Sequence, residues 1–102
     1  MYRASDRVEH EEWIAEIEQA GEALDLGSDA RSRAVDLFLS TLPEENRSKR
    51  ATMAASVYVG ALVAGEERSQ TAVADATDVS RLTIQQRWKG ILEAAGLEAP
   101  DW

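Results

Sequence analysis

The stretch from residue 50 to residue 65, RATMAASVYVGALVAG, restricts the fold of this chain more than any other feature. Apolar or small residues occupy nearly every position, so a helix formed here has no polar side. A helix that is apolar all round must be buried all round. Ser48 can cap this helix and Gly65 can end it. Small residues that would let neighbouring helices approach closely are Ala54, Ala55, Gly60 and Ala61. We therefore predict a bundle in which other helices surround this central one.

Two amphipathic patterns precede the central helix. The first covers residues 5–26, has an acidic outer face and is predicted to end before Gly27. The second begins at Ser28, which can cap it, and runs to Thr41 before Pro43 ends the helix. The inward positions predicted for the two helices are Val8, Trp13, Ile14, Ile17, Ala20, Leu24, Ala34, Val35, Phe38, Leu39 and Leu42. The sequence has no strand pattern, so the predicted fold is all-α in a single domain, residues 1–102.

Residues 69–95 carry the pattern of two short helices joined by a tight turn. Ser69 can cap the first helix and Ser80 the second, because a hydroxyl oxygen at the N-cap accepts a backbone N–H. Asp78 falls in the turn, where a left-handed backbone is expected, and Asp is among the few non-glycine residues that tolerate it. Val79 is predicted to fill the corner. This pattern indicates a helix-turn-helix, a shape that many proteins use to read DNA.

The second of these helices has an apolar side and a polar side. The residues Ile84, Trp88, Ile91 and Leu92 repeat at i, i+4, i+7 and i+8, and we expect Trp88 in the core near Tyr58. The candidates for base contacts on the other side are Arg81, Leu82, Gln85, Gln86 and Lys89. Gln can pair bidentately with adenine, and Arg or Lys with guanine. The candidates for phosphate contacts are Arg47, Lys49, Arg50 and Arg87. An ordinary solvated helix face has the same pattern, so spacing alone leaves both interpretations open.

The charge balance argues against nucleic acid as a partner. The 102 residues include 19 Asp and Glu against 11 Lys and Arg, which gives a formal net charge of −8. DNA binding depends on Lys and Arg displacing counterions from phosphates. However, many of the carboxylates precede residue 28 and most basic residues follow it in small clusters, so a locally positive face is compatible with this balance. An acidic, lysine-poor composition also suits a cytoplasm of very high salt, which we state as a hypothesis.

Other classes of function have little support in the residues. Cysteine is absent, which excludes a disulfide framework and a thiolate metal site. The only histidine, His10, stands among Glu9, Glu11 and Glu12, which indicates a solvated helix face rather than a metal site. The paired glutamates in predicted loops have no nucleophile or base beside them, so we expect neither an enzyme nor a cofactor. No apolar run approaches the ~20 residues of a membrane span and no signal-peptide pattern occurs, so we expect a cytoplasmic protein.

The chain from about Glu12 to Leu97 resembles one cyclin-like repeat of transcription factor IIB and of its archaeal counterpart, transcription factor B. The matching stretches are N-R-S at 46–48, A-A-S-V-Y-V-G-A at 54–61 and S-Q-T-A-V-A-D-A-T-D-V-S-R-L-T-I-Q-Q-R-W-K at 69–89. The second repeat of the family is the more similar one. The resemblance implies a five-helix cyclin-like bundle whose last helix lies in the major groove beside the TATA box and reads the upstream B-recognition element. It also implies double-stranded promoter DNA as a partner, with TATA-binding protein or another transcription protein as a further candidate.

The chain departs from the family at several positions. Gln85 stands where the family has a base-reading Arg, and Leu82 stands where it has Val. Lys49 replaces the Pro after Arg-Ser, and Asp78 replaces the Gly of the turn. We therefore expect a different base preference. Nothing here resembles the family's zinc ribbon, polymerase-reaching linker or first repeat, and Met1 with the acidic N-terminal segment favours a naturally short regulator or promoter competitor over a fragment.

A protein-interaction module is the alternative function, because cyclin-like bundles also bind partner peptides in helix grooves. On that interpretation the polar side of the last helix is merely solvated, and the acidic first helix is the working surface. Convergence of the basic and glutamine candidates on one side favours DNA. Acidic side chains around those candidates favour a protein partner.

Overall fold

The computed structural model describes residues 10–42 and 49–96. These residues form five helices, α1 (Glu11–Ala23), α2 (Ser28–Ser40), α3 (Lys49–Val63), α4 (Gln70–Thr77) and α5 (Arg81–Ala94). No strand occurs within these two ranges, and the all-α prediction is confirmed. No helix in the described part of the chain is both long and apolar enough to cross a membrane.

Helix α3 is the centre of the bundle and contacts each of the other four helices. Every residue from Thr52 to Ala61 is buried, which confirms the prediction from its unbroken apolar pattern. A methyl group added at Gly60 would lie 2.8 Å from the backbone nitrogen of Ala34 and 2.9 Å from the carbonyl oxygen of Ala30. The missing side chain at Gly60 therefore lets the backbone of α2 lie directly against α3, as expected from the small residues.

Helix α1 begins at Glu11, so the predicted helix does not continue unbroken through His10. The backbone of His10, with φ −117° and ψ 27°, lies outside the helical region and forms the N-cap. The earlier part of the prediction, 5–9, lies outside the described residues. The predicted end is confirmed, since the helix stops at Ala23 and Asp25 turns the chain with φ 55°.

The core follows the predicted inward positions closely. The buried residues among them are Ile17, Ala20, Leu24, Ala34, Val35, Phe38 and Leu39. The partly buried residues, which pack against the core, are Trp13, Ile14 and Leu42. Val8 lies outside the described residues. The amphipathic pattern omitted Ala30 and Leu37, which are also buried. All these side chains join α3 in one hydrophobic cluster.

The start of α2 is stabilised by a distant residue, and the predicted cap at Ser28 is wrong. Ser28 is already the first helical residue, and Gly27 is the N-cap. The N–H of Gly27 donates to Glu66 Oε1 at 2.9 Å, which places a carboxylate at the positive end of the helix dipole. Arg68 joins the same corner by donating to the carbonyl oxygens of Leu24, Asp25, Glu66 and Glu67. The loop between α3 and α4 therefore holds the corner between α1 and α2.

Candidate nucleic-acid interface

Local side-chain chemistry defines the two helices at the end of the described chain. Ser69 Oγ accepts the N–H of Ala72 at 3.0 Å, and Ser80 Oγ accepts the N–H of Thr83 at 3.2 Å. Both predicted N-caps are confirmed. Asp78 adopts a left-handed backbone with φ 59° and ψ 45°, as predicted for the turn. Helices α4 and α5 are therefore joined by a tight, well-defined turn.

The inner side of α5 is buried against the central helix. Its buried residues are Ile84, Trp88, Ile91 and Leu92, the stripe that the periodicity predicted. The rings of Tyr58 and Trp88 meet edge to face, which confirms the predicted contact with α3. Because the core holds this side of α5, the opposite side is presented to solvent in one fixed orientation.

All the predicted base-contact residues are exposed on α5: Arg81, Leu82, Gln85, Gln86 and Lys89. At 3.6 residues per turn, the last four of them fall within roughly a third of the helix circumference. Leu82 is 55% exposed and is the one large hydrophobic side chain left in solvent among the described residues. The structure therefore brings Leu82, Gln85, Gln86 and Lys89 together on one side of one helix, with Arg81 in its first turn.

Neighbouring side chains hold two of the cationic candidates. Arg81 Nη1 donates to Gln70 Oε1 at 3.3 Å, which links the first turn of α5 to the first residue of α4. Lys89 Nζ lies 5.6 Å from the centroid of the Trp88 ring. Such contacts reduce side-chain freedom before any ligand binds, so less ordering remains to oppose binding.

One of the predicted phosphate contacts, Arg87, lines a groove beside α5, and a second, Lys49, lies on the helix that forms another wall of that groove. Lys49 is the first residue of α3 and is partly exposed, whereas Arg87 is exposed on α5. Thr52, about one turn after Lys49, lines a surface groove together with Gln86 and Arg87. The groove therefore places the Lys49 end of α3 next to α5. A third candidate, Arg47, lies outside the described residues.

The fourth phosphate candidate, Arg50, is engaged within the protein. Its Nη2 lies 3.0 and 2.9 Å from the two carboxylate oxygens of Glu16. Its Nη1 donates to the carbonyl oxygen of Thr77 at 3.1 Å, and its Cζ lies 5.4 Å from the centroid of the Trp13 ring. A phosphate contact would require Arg50 to leave these partners. The sequence pattern gave no sign of them, because Glu16 and Thr77 are 34 and 27 residues away.

Acidic residues also border the exposed side of α5. Glu93 follows Lys89 by one turn, and Asp78 precedes the helix in the turn; both are exposed. Their repulsion of phosphates is strong at low salt and is screened at high salt. A further set of exposed carboxylates lies on α1 and consists of Glu11, Glu12, Glu18 and Glu22. The candidate interface is therefore a small polar and basic surface on an acidic protein.

These features define an all-α bundle that ends in two helices joined by a tight turn, the second of which has one side buried and the other polar. Comparison with known families identifies the relationship. Residues 8–94 match the family model of the transcription factor TFIIB repeat. The chain therefore belongs to the TFIIB-repeat family, and its fold is cyclin-like, as the resemblance implied.

Curated relatives support the same assignment. Transcription initiation factor IIB of Archaeoglobus fulgidus is 32% identical over 79 residues, which cover 74% of this chain and 24% of the relative. Transcription initiation factor IIB 2 of Thermococcus kodakarensis is 26% identical over 90 residues, which cover 85% of this chain and 29% of the relative. The protein of Pyrococcus abyssi is 26% identical over 87 residues, or 82% of this chain and 29% of the relative. The chain thus spans less than a third of the length of these relatives.

The relatives are transcription initiation factors and not enzymes, so the prediction of a non-enzymatic protein is confirmed. Their archaeal sources also agree with the archaeal relationship that the sequence indicated.

Proposed function

We propose that this chain is a DNA-binding transcription module, related to transcription factor B, that reads promoter DNA through the exposed side of α5. One observation carries the proposal. Gln85, Gln86 and Lys89 project together from a helix whose other side is buried against α3. These side chains have the donors and acceptors that pair with base edges in the major groove. A helix fixed by its core contacts, with such residues outward, suits entry into that groove.

The family relationship supports promoter DNA as the ligand. The relatives carry the name transcription initiation factor IIB, and α5 resembles the helix with which that family reads the B-recognition element. Gln85 takes the place of the family's base-reading Arg, and Gln favours adenine where Arg favours guanine. The preferred site of this chain therefore differs from that of the family at the base pair Gln85 contacts. TATA-binding protein, or another transcription protein on the promoter, is the protein partner that we propose.

Phosphate contacts on this proposal come from Arg87 at the groove beside α5 and from Lys49 at the start of α3, with Arg47 close to Lys49 in sequence. Three such contacts give only a modest electrostatic contribution, and the net charge of −8 opposes it. At molar salt, charges are screened beyond ~3 Å, so hydrogen bonds and apolar contacts with bases become the main source of affinity. We propose that the acidic surface is an adaptation to a cytoplasm of very high salt, as in halophilic archaea.

Selection from a pool of random duplexes tests this function directly. We expect one common motif to be enriched in moderate potassium chloride and the same motif in molar potassium chloride. A scrambled duplex of the same composition is the control. Failure to enrich any motif at either salt concentration, with the protein folded, would contradict DNA reading by this chain.

Protein interaction through α1 is the second candidate function, and the exposed carboxylates Glu11, Glu12, Glu18 and Glu22 favour it. Such a surface suits a basic partner. Binding of purified TATA-binding protein is the test, with Glu12→Gln and Glu22→Gln combined as the variant. Partner binding that depends on these glutamates, together with a selection that enriches no motif, would replace the first function with the second.

A further inference from the structure

Three helices meet at the guanidinium of Arg50. The residue lies in the first turn of α3, pairs with Glu16 on α1 and donates to the carbonyl oxygen of Thr77 at the end of α4. The side chains of Arg50 and Glu16 are 38% and 37% exposed, so solvent screens the pair only in part. The Trp13 ring adds a cation–π contact on α1. Arg50 therefore joins α1, α3 and α4 at a single point.

The position of Thr77 gives this contact its importance. Thr77 is the last residue of α4, and the final carbonyl groups of a helix lack partners within the helix and form the negative end of its dipole. A cation is the favoured partner there. The next residue, Asp78, has the left-handed backbone, and the N–H of Val79 returns to the carbonyl oxygen of Ala74. Arg50 thus holds the atom immediately before the turn that sets the direction of α5.

We propose that Arg50 is a positioning residue for the helix-turn-helix. Glu16 fixes the guanidinium, and the guanidinium fixes the turn, so Glu16 acts on α5 through Arg50. This inference rests on the proposed DNA reading by α5 but gives Arg50 no contact with DNA. It replaces the phosphate contact that the sequence alone predicted for Arg50.

The two roles of Arg50 predict opposite results for Glu16→Gln. If Arg50 positions the turn, the variant binds its preferred duplex roughly three- to ten-fold more weakly, the usual range for losing one net hydrogen bond. If Arg50 contacts a phosphate, the variant frees the guanidinium and binding does not weaken. Asp29→Asn is the matched control, because it removes the same charge from an exposed side chain that pairs with Arg33 on its own helix, α2.

Substitutions of Arg50 itself make a second distinction. Arg50→Ala should weaken binding without changing the dependence on salt, whereas a lost phosphate contact lowers the slope of log affinity against log salt by about one unit. Arg50→Lys should bind as weakly as Arg50→Ala, because an ammonium group lacks the planar fork that holds two partners. Near-normal binding by Arg50→Lys would instead indicate a point charge on a phosphate, and the positioning role would be overturned.

Amide hydrogen exchange at Val79 tests the coupling without DNA. We expect faster exchange at Val79 in Glu16→Gln and Arg50→Lys than in the unmodified chain or Asp29→Asn, with the helical circular dichroism signal unchanged. Unchanged exchange in both variants overturns the inference whatever happens with DNA. If Val79 responds but the unmodified chain enriches no duplex, the coupling within the protein stands and the proposed function fails.

Discussion

The rings of Tyr58 and Trp88 lie with their centroids 5.6 Å apart and their planes inclined at 71°. Tyr58 belongs to the central helix and Trp88 to α5, and they are only 3% and 2% exposed. Edge-to-face pairs of this kind contribute about 0.5–1.5 kcal/mol beyond the area they bury. The pair therefore fixes the rotation of α5 about its own axis, and with it the side that faces solvent.

Replacing Trp88 by Ala should destabilise the protein by ~3–5 kcal/mol, because the change removes buried area and leaves a cavity. Small domains have only ~5–15 kcal/mol in total, so a large part of the population could unfold. Chemical denaturation followed by circular dichroism measures this loss, and DNA binding should disappear together with helicity. Leu82→Ala on the exposed side is the control and should change stability by no more than ~0.5 kcal/mol. A folded Trp88→Ala with an unchanged melting temperature and no DNA affinity would show that Trp88 faces the ligand.

Gly60→Ala should destabilise the bundle by ~1–3 kcal/mol, because the new methyl group collides with the backbone of α2. Gly90→Ala is a matched control within a helix. Nothing lies within 4 Å of the methyl group it would add, so it should stabilise the protein by ~0.5–1 kcal/mol through lower backbone entropy in the unfolded chain. Thermal melting of both variants measures the difference. Stabilisation by both changes would contradict the close approach of α2 and α3 at Gly60.

Tyr58 should make the protein less stable at alkaline pH. Burial raises the pKa of Tyr58 above 10.0; the hydrogen bond with Gln70 lowers it in part, and the charge of Glu67 raises it further. In the folded state Tyr58 keeps its proton at a pH where the unfolded chain has lost it, so stability falls as pH rises through this window. The difference in unfolding free energy between the unmodified chain and Tyr58→Phe should therefore decline above pH 10.0. A difference that is constant across this range would contradict the raised pKa.

Lys49→Ala and Arg87→Ala should weaken binding to all duplexes alike. Each lost phosphate contact lowers the slope of log affinity against log salt by about one unit, so the double variant should lose about two. Filter binding or fluorescence anisotropy over a range of potassium chloride concentrations measures the slope. A loss confined to the preferred sequence would show that these residues contact bases instead of phosphates.

Features that depend on neighbouring residues could be predicted from the sequence. The caps at Ser69 and Ser80 and the left-handed turn at Asp78 involve atoms a few residues apart, so residue type and spacing were sufficient. The burial of α3 followed from its unbroken apolar pattern, and the burial of the stripe through Trp88 followed from apolar periodicity, because a packed helix must bury its apolar surface.

Features that depend on distant residues could not be predicted in this way. Glu66 accepts the N–H of Gly27, 39 residues away in the sequence. The prediction of a local cap at Ser28 was therefore wrong. Arg50 looked like a free cation in a basic cluster, although its partner Glu16 lies on another helix. The two residues of each pair are far apart in the sequence, and only the folded chain places them in contact. The exposed residues of α5 could be named from the pattern, but their ligand is still a prediction.

Direct reading of a base by Gln85 is the central claim, and affinity measured across paired changes in protein and DNA tests it most directly. The measurement compares the unmodified chain with Gln85→Ala on the selected duplex and on duplexes changed at one base pair at a time. Gln85→Ala should bind the selected duplex more weakly by ~1–3 kcal/mol and unrelated duplexes almost equally well. The affinity of Gln85→Ala should also no longer depend on the identity of one base pair, and at that base pair the unmodified chain should prefer adenine. An equal loss on all duplexes, or an unchanged preference at every base pair, would contradict base reading by α5.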